Sequence, residues 1–235
     1  MREERYDAVV IGAGISGLSA ASILAHEGYK ILVAERLPII GGRCSSVEHK
    51  GYIVTTGAIM MEGLLNDFVF KRVGAPFDIR IPDPQFHYYI DGKSYPLPEK
   101  GKIRAAITIA SGKDEADKIM AAIRRAVTWQ EPSYSISFYE WLRQHTENEK
   151  TIGVFRGSWD LNHMPAGEAI GNFKKMGPVS ESGYAVGGNI ALMKSLADVV
   201  EANHGAVWTR CQAKQILVEN GATKGVILFE KEEER

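Results

Sequence analysis

Tyr6-Asp7-Ala8-Val9-Val10-Ile11-Gly12-Ala13-Gly14-Ile15-Ser16-Gly17 is the stretch from which the fold is read. An apolar run of buried-strand length ends in glycine and continues as G-x-G-x-x-G. A helix-compatible stretch follows to about Glu27, with Leu18, Ala21, Ser22 and Ala25 forming a small, close-packing face, and Gly28 stops it. Lys30–Glu35 reads as a second buried strand ending in an acid, eighteen positions after Gly17 (35 − 17 = 18). A lone glycine turn would be weak evidence. Strand, glycines, helix, strand and terminal acid in this order predict a dinucleotide-binding unit.

Each part has a mechanical reason. Gly12 permits the tight turn, Gly14 lets backbone amides approach a pyrophosphate, and Gly17 lets the helix lie close to the strand. Ile15 and Ser16 open the helix, whose unpaired N–H groups and dipole favour negative charge. Glu35 would accept hydrogen bonds from an adenosine ribose, and its carboxylate would repel a 2′-phosphate, which disfavours NADP; Arg36 beside it is a further candidate cofactor-binding residue.

Six residues after Glu35 comes Gly41-Gly42-Arg43, two glycines for close backbone approach and a forked cation for a phosphate. Glu35, the short linker and Gly-Gly-Arg together resemble the FAD fingerprint of the superfamily containing flavin amine oxidases, protoporphyrinogen oxidase and phytoene desaturases. The resemblance implies an FAD cofactor, its ribose on Glu35 and its phosphates beside Gly41, Gly42 and Arg43. It continues through Gly51–Ala58 and implies flavin-side contacts at Thr56, Gly57 and Ala58, with Thr55 and Thr56 where relatives often carry an acid. Cys44 lies near this segment, and a small, partly buried cysteine is its expected role rather than a covalent flavin link.

Between about Gly63 and Gly183 the doubly wound pattern stops. Asp91-Gly92 between Phe86–Ile90 and Lys93–Leu97 is a two-residue hairpin signal. Lys113–Trp129 carries Ile119, Ile123, Ala126 and Val127 at helical spacing, and Ser137–Glu140 forms a capping box ahead of Trp141 and Leu142. A hairpin followed by helices resembles the inserted substrate domain of phytoene desaturase-like proteins. Gly187-Gly188-Asn189 then leads into a helix, Ala206–Trp208 reads as a strand, and a turn at Asn220-Gly221 joins Ala213–Glu219 to Gly225–Phe229. This order resembles the return to the FAD domain, and the resemblance implies a backbone contact to the adenine side at Ala213. The expected fold is α/β: a Rossmann-like FAD-binding domain of the GR2 type at residues 1–65 and 183–235, incomplete, with an inserted α+β substrate domain at 66–182.

Several chemistries are excluded by composition and spacing. The 28 basic and 29 acidic residues leave a formal charge of −1, which argues against an electrostatic nucleic-acid binder. No G-x-S-x-G elbow occurs, and the six histidines lack metal-ligand spacing. Apolar runs such as Ala8–Ile11 are too short to span a bilayer. Cys44 and Cys211 form no C-x-x-C pair, and with no sequon and a charged start the expectation is cytoplasmic, with peripheral membrane association left open.

At 235 residues the chain is short for that superfamily, and its charged end at Glu230–Arg235 suits solvent. An enzyme split between two polypeptides, a truncated chain and a shortened independent protein compete as explanations, and the first is the favoured expectation. The resemblance implies an FAD-dependent oxidoreductase subunit that oxidises, saturates or isomerises a small hydrophobic substrate by hydride transfer, completed by a second subunit. A flavin amine oxidase subunit is the runner-up, and a non-catalytic FAD-binding or assembly subunit is the third reading. No catalytic acid or base is nominated.

Overall fold

The architecture is that of a computed structural model, which describes residues 4–98, 100–129, 134–157, 159–175 and 182–230. The charged stretch 231–235 expected to face solvent lies outside them.

In chain order, β1 (Ala8–Ile11), α1 (Ile15–His26) and β2 (Ile31–Ala34) come first. The hairpin β3 (Ser46–His49) and β4 (Tyr52–Thr55), then β5 (Met61–Glu62), α2 (Lys71–Val73) and β6 (Ile79–Arg80) follow. A second hairpin, β7 (His87–Ile90) and β8 (Lys93–Pro96), precedes five helices: α3 (Lys102–Ser111), α4 (Lys113–Trp129), α5 (Phe138–Arg143), α6 (Glu149–Arg156) and α7 (Ala166–Lys175). The chain then returns through β9 (Ser182–Ala185), α8 (Asn189–Ala202), β10 (Ala206–Trp208) and the ribbon β11 (Cys211–Glu219) and β12 (Ala222–Glu230).

Two compact units result, one of residues 1–81 with 181–235 and one of residues 82–180. In the first, β1, β2 and β10 form a parallel sheet with β2 central, Val10 opposite Val33 and Val207 on its other side. All four β2 residues are buried, as a continuous apolar strand requires when both faces are covered. Leu18, Ala21 and Ala25 of α1 are fully buried and Ser22 joins them, so the small face seen in the sequence is the one that packs. Helix α8 lies against α1 and buries Leu192, Met193, Leu196, Ala197 and Val200 in the same core. Among the described residues β1 pairs only with β2, which leaves its other edge open and Ile11 half exposed.

The first unit extends past residue 65, the boundary expected from the sequence. Phe70 is fully buried in its core against Phe77, ring centroids 4.8 Å apart, and Val69 and Val73 pack beside them. Strand β9 further binds the segment in, because it lies between β5 and β6 in one antiparallel sheet. Sequence periodicity could not reveal this, since β5 and β6 are only two residues long.

In the second unit Asp91 and Gly92 both have positive φ, as a primed hairpin turn demands. Ser137 and Glu140 form the expected capping box at α5. The aromatic content of this region forms core: Phe138 is fully buried and contacts Trp141, Phe155, Trp159 and Phe173. Tyr139 accepts a 3.0 Å hydrogen bond from Arg143, and His87 pairs with Ser94 at 3.0 Å.

His145 stacks edge-on to Trp141 at 4.5 Å, and burial, then the charges of Arg125 and Lys118, hold its pKa below the ordinary imidazole value. The folded chain therefore takes that proton less readily than the unfolded chain. Its contribution to stability is present above about pH 6.5 and is lost as pH falls through the depressed value. Urea unfolding followed by tryptophan fluorescence is expected to show a lower midpoint at pH 5 than at pH 7.5, and His145→Gln to reduce that difference.

Candidate cofactor-binding site

The turn between β1 and α1 is shaped by close backbone approach. Gly12 has φ +99° and donates its N–H to the Ala34 carbonyl at 2.8 Å, tying the turn to the end of β2. A Cβ at Gly17 would lie 2.0 Å from the Gly12 carbonyl oxygen, so only glycine fits there. Gly14 stands at the N-cap of α1 and supplies no side-chain acceptor. The first N–H groups of the helix, at Ile15, Ser16 and Gly17, thus lack the capping partner that a serine or aspartate would provide. An uncapped helix start of this kind favours an anion.

The second glycine pair lies against the first. Gly41 donates its N–H to the Ala13 carbonyl at 2.7 Å, and Gly14 and Gly41 form an isolated parallel bridge. A Cβ on Gly42 would meet Gly14 Cα at 3.4 Å. Gly41 and Gly42 have φ of +102° and +55°, a conformation that suits glycine. The side chain of Arg43 is exposed, and so is that of Arg36.

Glu35 is buried, 7% exposed, and both of its oxygens are engaged. Ala13 N–H donates to Oε2 at 2.8 Å and Leu37 N–H to Oε1 at 2.9 Å. Each carboxylate oxygen keeps a further lone pair, so a ribose hydroxyl can still be accepted. The backbone of Glu35 is held as well: its N–H donates to Trp208 and its carbonyl accepts from Cys211, each at 2.8 Å. Ala213 therefore lies in β11 two residues from a direct tie to Glu35, half-buried opposite Leu228 and beside a register shift.

The flavin-side residues expected from the sequence form a third cluster. Ala58 N–H donates to the Arg43 carbonyl at 2.7 Å, and a Cβ on Gly57 would lie 2.3 Å from that same oxygen. Thr56 Oγ1 donates to the Ser45 carbonyl at 3.1 Å and stands 2.9 Å from Ser45 Oγ. Asn189, which the sequence reading used only as a helix start, is fully buried and donates Nδ2 to the Ala58 carbonyl at 2.5 Å. Its signal was the preceding pair Gly187-Gly188. A Cβ on Gly188 would sit 2.5 Å from Ile53 Cγ2, so glycine lets α8 approach the β3–β4 hairpin.

Cys44 is buried, and burial pushes its thiol pKa up. The thiolate is the nucleophile, so this favours a packing role. Among the described residues no cluster of three or more His, Cys, Asp or Glu could hold a metal, and no helix is long and apolar enough to cross a membrane.

Residues 10–72 match the family described as NAD(P)-binding Rossmann-like domain. An uncharacterized protein of Methanocaldococcus jannaschii is 26% identical over 221 residues, covering 91% of this chain and 54% of the relative. A 4,4′-diapophytoene desaturase of a Methylomonas species is 22% identical over 258 residues, covering 94% and 50%. The crystal structure of an oxidoreductase from Methanosarcina mazei superposes with a TM-score of 0.76 at 28% identity, over 95% of this chain and 56% of that one. Other relatives are named prolycopene isomerase and putrescine oxidase. The chain thus spans about half the length of proteins it matches nearly end to end.

Gly17→Ala is expected to destabilise the first unit by at least about 1–3 kcal/mol and to empty the purified protein of bound dinucleotide. Gly153→Ala, where an added Cβ meets open space inside α6, is expected to stabilise by about 0.5–1 kcal/mol. Denaturant titration and nucleotide content of the two variants check both outcomes.

Proposed function

We propose that this chain, related to the superfamily of phytoene desaturases and flavin-containing amine oxidases, is the FAD-binding part of an oxidoreductase acting on a small hydrophobic substrate. The observation that carries the reading is the second glycine turn laid against the first, Gly41 to Ala13 and Gly14. One glycine turn serves a single pyrophosphate-binding helix start. The second continues through Arg43 to Gly57 and Ala58, which extends the run of close backbone approaches beyond one pyrophosphate-binding turn.

The residues fit such a cofactor. Ile15, Ser16 and Gly17 would offer amides to its pyrophosphate, Glu35 would hold its ribose, and Arg43 would neutralise phosphate charge. Gly41 and Gly42 would keep that path free of side chains, and Asn189 would hold the Ala58 backbone in place. When bound, a flavin supplies hydride transfer to or from a carbon of the substrate. The protein would supply position and electrostatics through these residues. The second unit would act as the substrate domain. Cys44 and Cys211 are both buried and stand outside any disulfide, which supports a reducing compartment such as the cytoplasm.

The purified protein is expected to release FAD on acid precipitation, leaving none attached to the peptide. Glu35→Ala removes a charged acceptor and orphans the Ala13 and Leu37 amides, so it should weaken FAD binding about 10–100-fold. A protein that carries NAD(P) and no flavin overturns the proposal. Anaerobic bleaching by unsaturated hydrocarbons rather than by amines separates the two substrate classes.

Further polypeptide would complete the sheet, and the sequence-based expectation is that a second subunit provides it. The open edge of β1 supports this, since an unpaired strand edge is a site for strand addition. Size-exclusion chromatography of the natural protein is expected to show this chain co-eluting with a partner. A stable, flavin-loaded monomer would defeat the second-subunit reading.

A further inference from the structure

Strands β6 and β9 meet in a register that places Arg80 opposite Tyr184 and Ile79 opposite Ala185. Directly opposed residues share a face of a sheet, so the guanidinium and the phenol stand side by side. A cavity of about 250 Å³ opens there, lined by Arg80, Tyr184, Ala185, Val186 and Gly187. Among these only Arg80 is charged. Asp78 immediately precedes β6, and its carbonyl accepts from Val186 N–H at 3.1 Å. Among the described residues, however, no carboxylate pairs with Arg80 and no hydrogen bond uses its guanidinium.

The surroundings are apolar. Val186, Tyr184 and Ile81 are each between 41% and 48% exposed, a patch that water covers at a cost unless something apolar lies on it. The chain itself connects the cavity wall to the candidate cofactor residues. Gly187 is one of its walls, Gly188 abuts Ile53 and Ser46, and Asn189 bonds to the Ala58 carbonyl. Its volume is below the roughly 300–1,000 Å³ of pockets that enclose a whole small ligand. It suits one end of a longer molecule.

We infer that Arg80 anchors the carboxylate of an apolar carboxylic acid, with Tyr184 and Val186 against the first carbons of its chain. This rests on the reading of the chain as a flavin oxidoreductase of a hydrophobic substrate, and narrows that substrate to an acid. Arg80 is exposed, and its planar guanidinium matches a carboxylate with two parallel hydrogen bonds, while Tyr184 and Val186 offer apolar surface beside it. An amine would meet the wrong charge. A neutral hydrocarbon would leave the cation unmatched.

The test is calorimetric binding to the flavin-loaded protein, with dodecanoic acid, its methyl ester and dodecylamine, each below its micellar concentration. The acid is expected to bind about 10–100-fold more tightly than the ester, the scale of a hydrogen bond to a charged group. Arg80→Gln should erase that difference, and Arg80→Lys should keep the charge but only part of the preference. Circular dichroism and flavin content of each variant verify folding. Equal binding of acid and ester, tighter binding of ester or amine, no binding of any of the three, or a preference that survives Arg80→Gln overturns the inference. The same titrations on protein lacking flavin report on Arg80 independently, so a failed FAD proposal and a failed carboxylate anchor give different results.

Discussion

The carboxylate of Glu35 is the contact on which the cofactor end of the first unit depends. A buried negative charge is costly unless donors meet it, and here Ala13 and Leu37 each direct an amide at one oxygen. One of those amides belongs to the glycine turn, the other to the segment leading to Gly41. The same residue fixes β10 and the start of β11 through its own backbone. Removing the carboxylate would leave two amides unpaired, each worth about 1–3 kcal/mol. Side chain and backbone of this one residue therefore organise three chain segments.

From that anchor the remaining geometry follows by close approach. Gly17 touches the Gly12 carbonyl, Gly57 the Arg43 carbonyl and Gly188 the hairpin residues Ile53 and Ser46, and no side chain fits at any of the three. Asn189 then spans from α8 to the Ala58 carbonyl, joining a helix late in the chain to a loop early in it. The cavity beside Arg80 lies on the same route, because Gly187 belongs both to its wall and to the turn that launches α8. Gly187, Gly188 and Asn189 are consecutive, so one short stretch of backbone runs from the cavity wall to the Ala58 contact.

The second unit is built on different physics. Its stability comes from an aromatic cluster around Phe138 and from capped helices, including α6, where Asn148 accepts from the Lys150 and Thr151 amides. The periodicity of Lys113–Trp129, the Asp91-Gly92 turn and the Ser137–Glu140 box were all legible because each depends on neighbours within four residues. The aromatic residues around Phe138 fill the core. Composition cannot show this, because Phe138 and Trp159 have the same apolar character whether they face each other or a ligand.

The amino-acid sequence by itself determined the βαβ opening, the positions of the glycine turns, the acid at the end of β2 and the local signals of the second unit. In each case the chemistry is local: left-handed backbone, helix starts and hydrophobic period are properties of adjacent residues. Tertiary structure decided that Phe70 and β6 belong to the first unit, that the Glu35 carboxylate holds the glycine turn, and that Asn189 supports Ala58. It also decided that Arg80 and Tyr184 share a face, although 104 positions separate them in sequence (184 − 80 = 104). Contacts of that range arise from strand register and helix packing, which no window of neighbouring residues contains.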